Sequence, residues 1–106
     1  MTTMRYTIIQ SPESKNDLDD IVHYISVRLN NAKAAADLAD SYKEKISNLA
    51  TAPRLYPLSD NPKLALRGYR HFSFGNYMAF YTVAEKTKTV NIVRIFYQKQ
   101  SYNETL

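Results

Sequence analysis

The sequence predicts an α+β fold, in which an N-terminal strand and an antiparallel helical hairpin pack on a C-terminal three-stranded antiparallel meander. Three observations support this prediction. Residues 66–97 contain three runs rich in aromatic and β-branched side chains, separated by two short polar segments. Residues 12–50 place apolar side chains at helical spacing in two successive runs, and residues 4–10 alternate as a strand does. The helices are therefore expected to cover one face of the sheet.

The meander is predicted as the strands Tyr69–Phe74, Tyr77–Ala84 and Thr89–Tyr97. Gly75 and Asn76 make a two-residue hairpin turn, and residues 85–88 make a polar four-residue loop. Both connections are short enough to join antiparallel neighbours directly.

These turn lengths set the pairing of the strands, and with it the two faces of the sheet. Phe74 is expected opposite Tyr77, and Ala84 opposite Thr89. The face turned to the helices, called the helix face, is predicted to carry Phe72, Phe74, Tyr77, Ala79, Tyr81, Val83, Val90, Ile92 and Phe96, with Arg70 and Arg94 at its margins. The opposite face, called the outer face, is predicted to carry Tyr69, His71, Ser73, Met78, Phe80, Thr82, Asn91, Val93, Ile95 and Tyr97. Its mixture of apolar, aromatic and polar groups favours a binding surface.

Two amphipathic helices are predicted between the first strand, Met4–Gln10, and the meander. Ser11 is suited to cap the first helix, with Pro12 at its first position. The apolar stripe of this helix is Leu18, Ile21, Val22, Ile25 and Leu29. Two asparagines then break the pattern, and the second helix, residues 32–50, has the stripe Ala35, Leu38, Ala39, Tyr42, Ile46 and Leu49. The acidic side of the first helix, with Asp17, Asp19 and Asp20, is expected to be a solvated surface.

Composition bounds the class of protein. The chain of 106 residues is expected to form one domain, 1–106. No apolar run approaches a membrane span and no signal peptide is recognisable, which favours a cytoplasmic protein. The absence of cysteine excludes disulfides and thiol chemistry, and the two histidines make a metal site or other cofactor unexpected. Residues 53–68, with three prolines, are predicted to be a long loop, and residues 98–106 a polar tail.

Positive charge is concentrated in the second half of the chain. Residues 1–50 hold six Lys or Arg and seven Asp or Glu, whereas residues 51–106 hold eight and three. The second half, which contains the meander, therefore has a net charge of +5. The first half has a net charge of −1, so the whole chain has +4. This asymmetry is either an ordinary solvated surface or a site for an anionic partner, such as a nucleic acid or an acidic protein segment.

The order of these elements resembles that of the RelE/ParE superfamily, the toxins of type II toxin–antitoxin systems. The resemblance rests on the run SPES…DLDDIVHYI into the first helix, the pattern Gly75-x-Tyr77-x-x-x-Tyr81 within GNYMAFYTV, and the strand VNIVRIFY. It covers nearly the whole chain. The resemblance implies a cytoplasmic toxin, associated with plasmid stabilisation and growth inhibition, and a cognate antitoxin as partner.

Two activities occur in this superfamily. RelE-like members cut messenger RNA on the ribosome without a metal, using lysines on the first meander strand, an arginine on the second, and an arginine and a tyrosine near the C-terminus. ParE-like members lack these residues and poison DNA gyrase. By the resemblance, the lysine positions fall at Tyr69 and His71, the central arginine at Met78, the late arginine near Gln98, and the late tyrosine at Tyr102.

The missing cations favour the ParE-like target, because cleavage of RNA needs positive charge to stabilise the transition state. The alternative is a RelE-like endoribonuclease that uses His71, Tyr97, Lys99 and Tyr102. In that alternative His71 and Tyr97 share the outer face but lie about 13 Å apart, at about 3.3 Å per residue along the sheet. A third hypothesis is a non-toxic member that only binds an antitoxin or DNA.

The resemblance also suggests two sets of binding residues. Arg67, Arg94 and Lys99 are predicted to contact the target through their positive charge. Phe80, Val93 and Ile95 are predicted to contact the antitoxin through apolar surface on the outer face.

Overall fold

The structure, a computed structural model, describes residues 5–98 and residue 106. Its elements are β1 (Thr7–Gln10), α1 (Pro12–His23), α2 (Ala32–Asn48), α3 (Pro62–Leu66), β2 (Arg70–Phe74), β3 (Tyr77–Ala84) and β4 (Thr89–Tyr97). A π-helical stretch, Tyr24–Arg28, extends α1 toward α2. The strands form one sheet in the order β1-β4-β3-β2. The predicted α+β fold is confirmed, and the segment predicted as a long loop contains the short helix α3.

Local signals place the helices where the sequence predicts them. Ser11 caps α1, because its Oγ accepts a hydrogen bond from the backbone N–H of Ser14 at 3.0 Å. Asn31 caps α2 in the same way, through the backbone N–H of Ala34 at 3.0 Å. The two helices pack on the helix face of the sheet.

β1 completes the sheet by pairing in parallel with β4, so that Thr7 lies opposite Thr89 and Gln10 opposite Ile92. A parallel pair requires a long crossover between its strands. Here the segment between the two strands contains all three α-helices and the first two strands of the meander. The helix α1 follows β1 directly and begins beside β4.

The pairing of the meander follows the prediction until a β-bulge in β4. β2 pairs with β3 from Phe74–Tyr77 to Arg70–Tyr81, and β3 pairs with β4 from Ala84–Thr89 to Tyr81–Ile92. The next pair is Phe80–Arg94, which leaves Val93 as an extra residue.

The bulge exchanges the faces of the side chains that follow it. Ile95 and Tyr97 pair with Ala79 and Tyr77 and lie on the helix face, whereas Arg94 and Phe96 pair with Phe80 and Met78 and lie on the outer face. The predicted faces of Arg94, Ile95, Phe96 and Tyr97 are therefore wrong, because a one-residue insertion inverts a strand's alternation.

The main core lies between the helices and the helix face. Its buried members are Tyr42, Ile46, Leu49, Phe72, Phe74, Ala79, Tyr81, Val90, Ile92 and Ile95. A smaller cluster on the outer face has Leu64, Phe80 and Phe96 at its centre, with Tyr69, Met78 and Leu106 packed against it. The short helix α3 and the last residue of the chain thus cover part of the outer face.

The N-terminal end of α1 covers the edge of β4 beyond β1. The backbone N–H of Ser11 donates to the carbonyl of Ile92 at 2.9 Å, and the Ser11 hydroxyl donates to the carbonyl of Val93 at 2.6 Å. The backbone N–H of Ile95 then donates to Asp17 Oδ2 at 2.9 Å. Side chains of the helix therefore occupy backbone groups that another strand would otherwise use.

The hairpin turn at Gly75 gives the first testable prediction. Gly75 has φ +58°, and a Cβ there would lie 2.7 Å from Leu38 Cδ1, whereas Gly68 has φ +84° and open space around it. Both Gly→Ala substitutions strain the backbone by about 1–2 kcal/mol. We expect Gly75→Ala to lower the free energy of unfolding by more than Gly68→Ala in urea titrations, because only the former also displaces Leu38. Equal losses would contradict the close packing of the turn against α2.

Candidate functional site

The outer face holds the residue predicted as a catalytic base. His71 lies in β2 opposite Phe80, and its ring centroid is 6.0 Å from that of Phe80. Its Nδ1 is buried and has no hydrogen-bond partner among residues 5–98 and 106. The imidazole therefore packs beside the ring of Phe80, and within the described residues no polar group pairs with its Nδ1.

Tyr97, predicted as the matching acid, lies on the other side of the sheet. It pairs with Tyr77 on the helix face, and the two ring centroids are 5.7 Å apart. The prediction that His71 and Tyr97 share a face is wrong, because the bulge at Val93 inverts the end of β4. The other two predicted catalytic residues, Lys99 and Tyr102, lie outside the described residues.

The positions that the resemblance assigns to catalytic cations are occupied by aromatic and apolar packing. The guanidinium of Arg67 lies 5.1 Å from the ring centroid of Tyr69, and its Nη1 donates to the carbonyl oxygen of Leu106 at 2.6 Å. Met78 packs against the outer cluster around Phe80. The cluster around Phe80 is thus apolar, and Arg67 and Arg94 lie at its margins.

Arg94, predicted to bind the target, is held by α1. Its Nε and Nη2 donate to the two carboxylate oxygens of Asp17 at 2.8 and 3.1 Å, and its guanidinium lies 5.0 Å from the ring centroid of Phe96. The hydrogen bond to Asp17 raises the pKa of Arg94 above its usual value. Asp17 was expected to be solvated, but it bridges Arg94 and the backbone of β4, so that expectation is wrong.

The three residues predicted to contact the antitoxin differ in exposure. Phe80 is fully buried and Ile95 is only 3% exposed, whereas Val93 in the bulge is half-buried. Their role as antitoxin contacts stays a prediction. Among them, Val93 is the side chain that presents surface without a rearrangement of the sheet.

A cluster of tyrosines that the sequence analysis did not identify lies at the end of the molecule near the hairpin turn. A cleft of about 470 Å³ is lined by Tyr24, Leu29, Asn76, Tyr77 and Tyr97. Tyr24 and Tyr97 are 49% and 43% exposed. Burial raises the pKa of Tyr77, and the neighbouring hydroxyls of Tyr24 and Tyr97 raise it further, so the Tyr77 phenol stays neutral at pH 7.

A second cleft adjoins the first one. It measures about 200 Å³, shares the walls formed by Tyr77 and Tyr97, and is otherwise lined by Asp17, Asp20, Ile21, Arg94, Ile95 and Phe96. The nine tyrosines of the chain are a compositional signal for such a surface, but their clustering depends on the bulge and on the π-helical stretch.

Residues 5–98 and 106 contain no group of three or more His, Cys, Asp or Glu side chains arranged to hold a metal ion. Within the same residues, no helix has the length and apolar character needed to cross a membrane.

Comparisons with solved structures identify chains of the same fold. The chromosomal ParDE toxin–antitoxin system from P. aeruginosa matches with a TM-score of 0.66 and 20% identity, over 89% of this chain and 96% of that one. The toxin–antitoxin complex RelBE2 from Mycobacterium tuberculosis matches with a TM-score of 0.58 and 17% identity, over 93% and 98%. The isolated E. coli RelE toxin matches with a TM-score of 0.62 and 14% identity, over 94% of each chain.

Comparisons of the sequence itself are more specific about the family. No curated protein sequence gave a significant match. The family model described as the ParE toxin of the type II toxin–antitoxin system parDE matches residues 8–102, which is most of the chain. The chain therefore belongs to the ParE family of toxins of type II toxin–antitoxin systems.

Proposed function

We propose that this chain inhibits growth as the toxin component of a type II module, and that its target is DNA gyrase. The observation that carries the choice of target is the outer face of the sheet. Its centre is an apolar cluster around Phe80 and Phe96, and the candidate base His71 and candidate acid Tyr97 lie on opposite sides of the sheet.

Cleavage of RNA by its own 2′-hydroxyl sets geometric demands, and residues 5–98 and 106 of this face do not by themselves meet them. A base, an acid and cations must converge within hydrogen-bond distance of one phosphate. Tyr69 and Met78 stand at two of the positions where RelE-like toxins place cations, and both pack against the outer cluster. Inhibition of gyrase by binding does not require a base, an acid and cations to meet at one phosphate.

A cognate antitoxin is the second proposed partner. The similar RelBE2 structure is a toxin–antitoxin complex, and the similar ParDE structure is a toxin–antitoxin system. The net charge of +5 over residues 51–106 suits an acidic antitoxin segment, with Val93 as a surface-accessible apolar contact. Phe80 and Ile95, which are buried, remain proposed contacts. Arg67, Arg94 and Lys99 remain the proposed contacts to the target.

Induced expression of the wild-type chain without an antitoxin tests the target. We expect growth arrest with DNA-damage signalling and linearised plasmid, and intact transcripts. His71→Gln should retain this toxicity, because in the proposed mechanism no proton transfer depends on the imidazole. The conservative variant Tyr97→Phe should retain it for the same reason.

Two outcomes would contradict the proposal in different ways. Transcripts cut at defined codon positions, with loss of toxicity in His71→Gln, would support the RelE-like endoribonuclease instead. Harmless expression of the soluble wild-type chain would contradict the toxin activity itself.

A further inference from the structure

The tyrosine clefts described above form a surface whose walls come from three separate elements. Tyr24 begins the π-helical stretch, Tyr77 begins β3, and Tyr97 ends β4. π-Helical stretches of this kind recur at functional sites, because the extra residue changes the direction of neighbouring side chains. Here the stretch supplies Tyr24 to one cleft, and Leu29, the residue that follows the stretch, lines the same cleft.

The position of these tyrosines is fixed by the backbone around the hairpin turn. The backbone N–H of Gln98 donates to the carbonyl of Asn76 at 2.9 Å, and its side-chain amide donates to the carbonyl of Gly75 at 3.2 Å. These bonds tie the end of β4 to the turn. The clefts beside Tyr77 and Tyr97 are therefore preorganised, which reduces the entropy lost when a ligand binds there.

The charge of the clefts is opposite to that of the whole chain. Asp17 already pairs with Arg94, so these two groups nearly cancel. Asp20 is exposed, and its carboxylate forms no hydrogen bond or ion pair within the described residues. Among the described residues that line the clefts, the remaining charge is one carboxylate, on a chain whose net charge is +4.

We propose that these clefts bind an arginine side chain of a partner protein. A guanidinium stacks on aromatic faces and also pairs with a carboxylate, and it is more weakly hydrated than an ammonium group. The faces of Tyr77 and Tyr97 and the carboxylate of Asp20 provide both interactions, while Ile21 and Leu29 contact the aliphatic stem. The site rests on the proposed function only for the identity of the partner, which would be the antitoxin.

The test is an NMR titration of the purified chain with N-acetyl-arginine amide. We expect saturable shifts at Tyr77, Tyr97 and Asp20. N-acetyl-citrulline amide has nearly the same shape without the charge, and it should bind at least about threefold more weakly. N-acetyl-glutamate amide should give no saturable shift at these residues.

Variants of neighbouring carboxylates make the test specific. Asp20→Asn should weaken binding of the arginine probe by about threefold to fivefold. Asp19→Asn is the matched control: it makes the same change on the preceding residue of α1, which lines a different groove, and it should leave binding unchanged. Tyr97→Ala should weaken binding without altering the helical circular dichroism.

Three results would overturn this proposal. They are the absence of saturable arginine binding, equal binding of arginine and citrulline probes, and equal losses in Asp19→Asn and Asp20→Asn. Growth inhibition by the Asp20→Asn chain is read separately, so failure of the arginine site and failure of the proposed toxin function give different results.

Discussion

Replacing Phe72 by alanine is expected to lower the free energy of unfolding by about 3–5 kcal/mol. Phe72 is 3% exposed and lies at the centre of the aromatic core. Its ring centroid is 5.0 Å from that of Tyr56, 6.1 Å from that of Phe74, and 6.2 Å from those of Tyr42 and Tyr81. Removal of the ring leaves a cavity that four aromatic side chains cannot fill without leaving their own contacts.

Equilibrium unfolding in urea measures this loss. A domain of this size has a total stability of about 5–15 kcal/mol, so the variant should be largely unfolded at modest denaturant concentration. Leu66→Ala is the matched control, because Leu66 is 90% exposed and should change stability by no more than about 0.5 kcal/mol. Similar losses in the two variants would show that Phe72 is not the centre of the core.

Asp17→Ala is expected to cost about 2–3 kcal/mol, which is large for a carboxylate on a helix that the sequence presents as solvated. Three hydrogen bonds depend on this side chain: two from the guanidinium of Arg94 and one from the backbone N–H of Ile95. The carboxylate is only 15% exposed and the guanidinium side chain 29%, so water replaces these partners incompletely.

The same unfolding measurement separates charge from hydrogen bonding at this site. Asp17→Asn retains an acceptor for the Ile95 N–H and should lose less than Asp17→Ala. Asp37→Ala removes a carboxylate that is 63% exposed and paired with Lys33, and it should cost no more than about 0.5 kcal/mol. If Asp37→Ala cost as much as Asp17→Ala, the bridge between α1 and β4 would not contribute as proposed.

Features that depend on neighbouring residues were predictable from the sequence. The caps at Ser11 and Asn31 are local, since the capping side chain and the bonded N–H lie three residues apart. The pairing of Phe74 with Tyr77 follows from the length of a two-residue turn. The fold class then follows, because an amphipathic hairpin next to an apolar meander has one way to bury both surfaces.

Features that depend on distant contacts were not predictable. Val93 carries no signal for a bulge, because no glycine or proline marks it, and the strand VNIVRIFY reads as a continuous run. The bulge lies where α1 contacts β4, and there Asp17 accepts a hydrogen bond from the N–H of Ile95 across 78 positions of sequence. Because of this one extra residue, the prediction from sequence assigned Tyr97 to the outer face. It therefore missed the cleft that Tyr97 forms with Tyr24.

The way α1 seals the flank of β4 has a consequence for the isolated chain. An exposed strand edge is a template for pairing with another chain, and such pairing leads to polymerisation. Here the hydroxyl of Ser11 and the carboxylate of Asp17 occupy the carbonyl of Val93 and the N–H of Ile95. A free copy of the chain therefore has this edge of β4 already blocked by its own side chains. Protection against polymerisation at this edge does not require a bound partner.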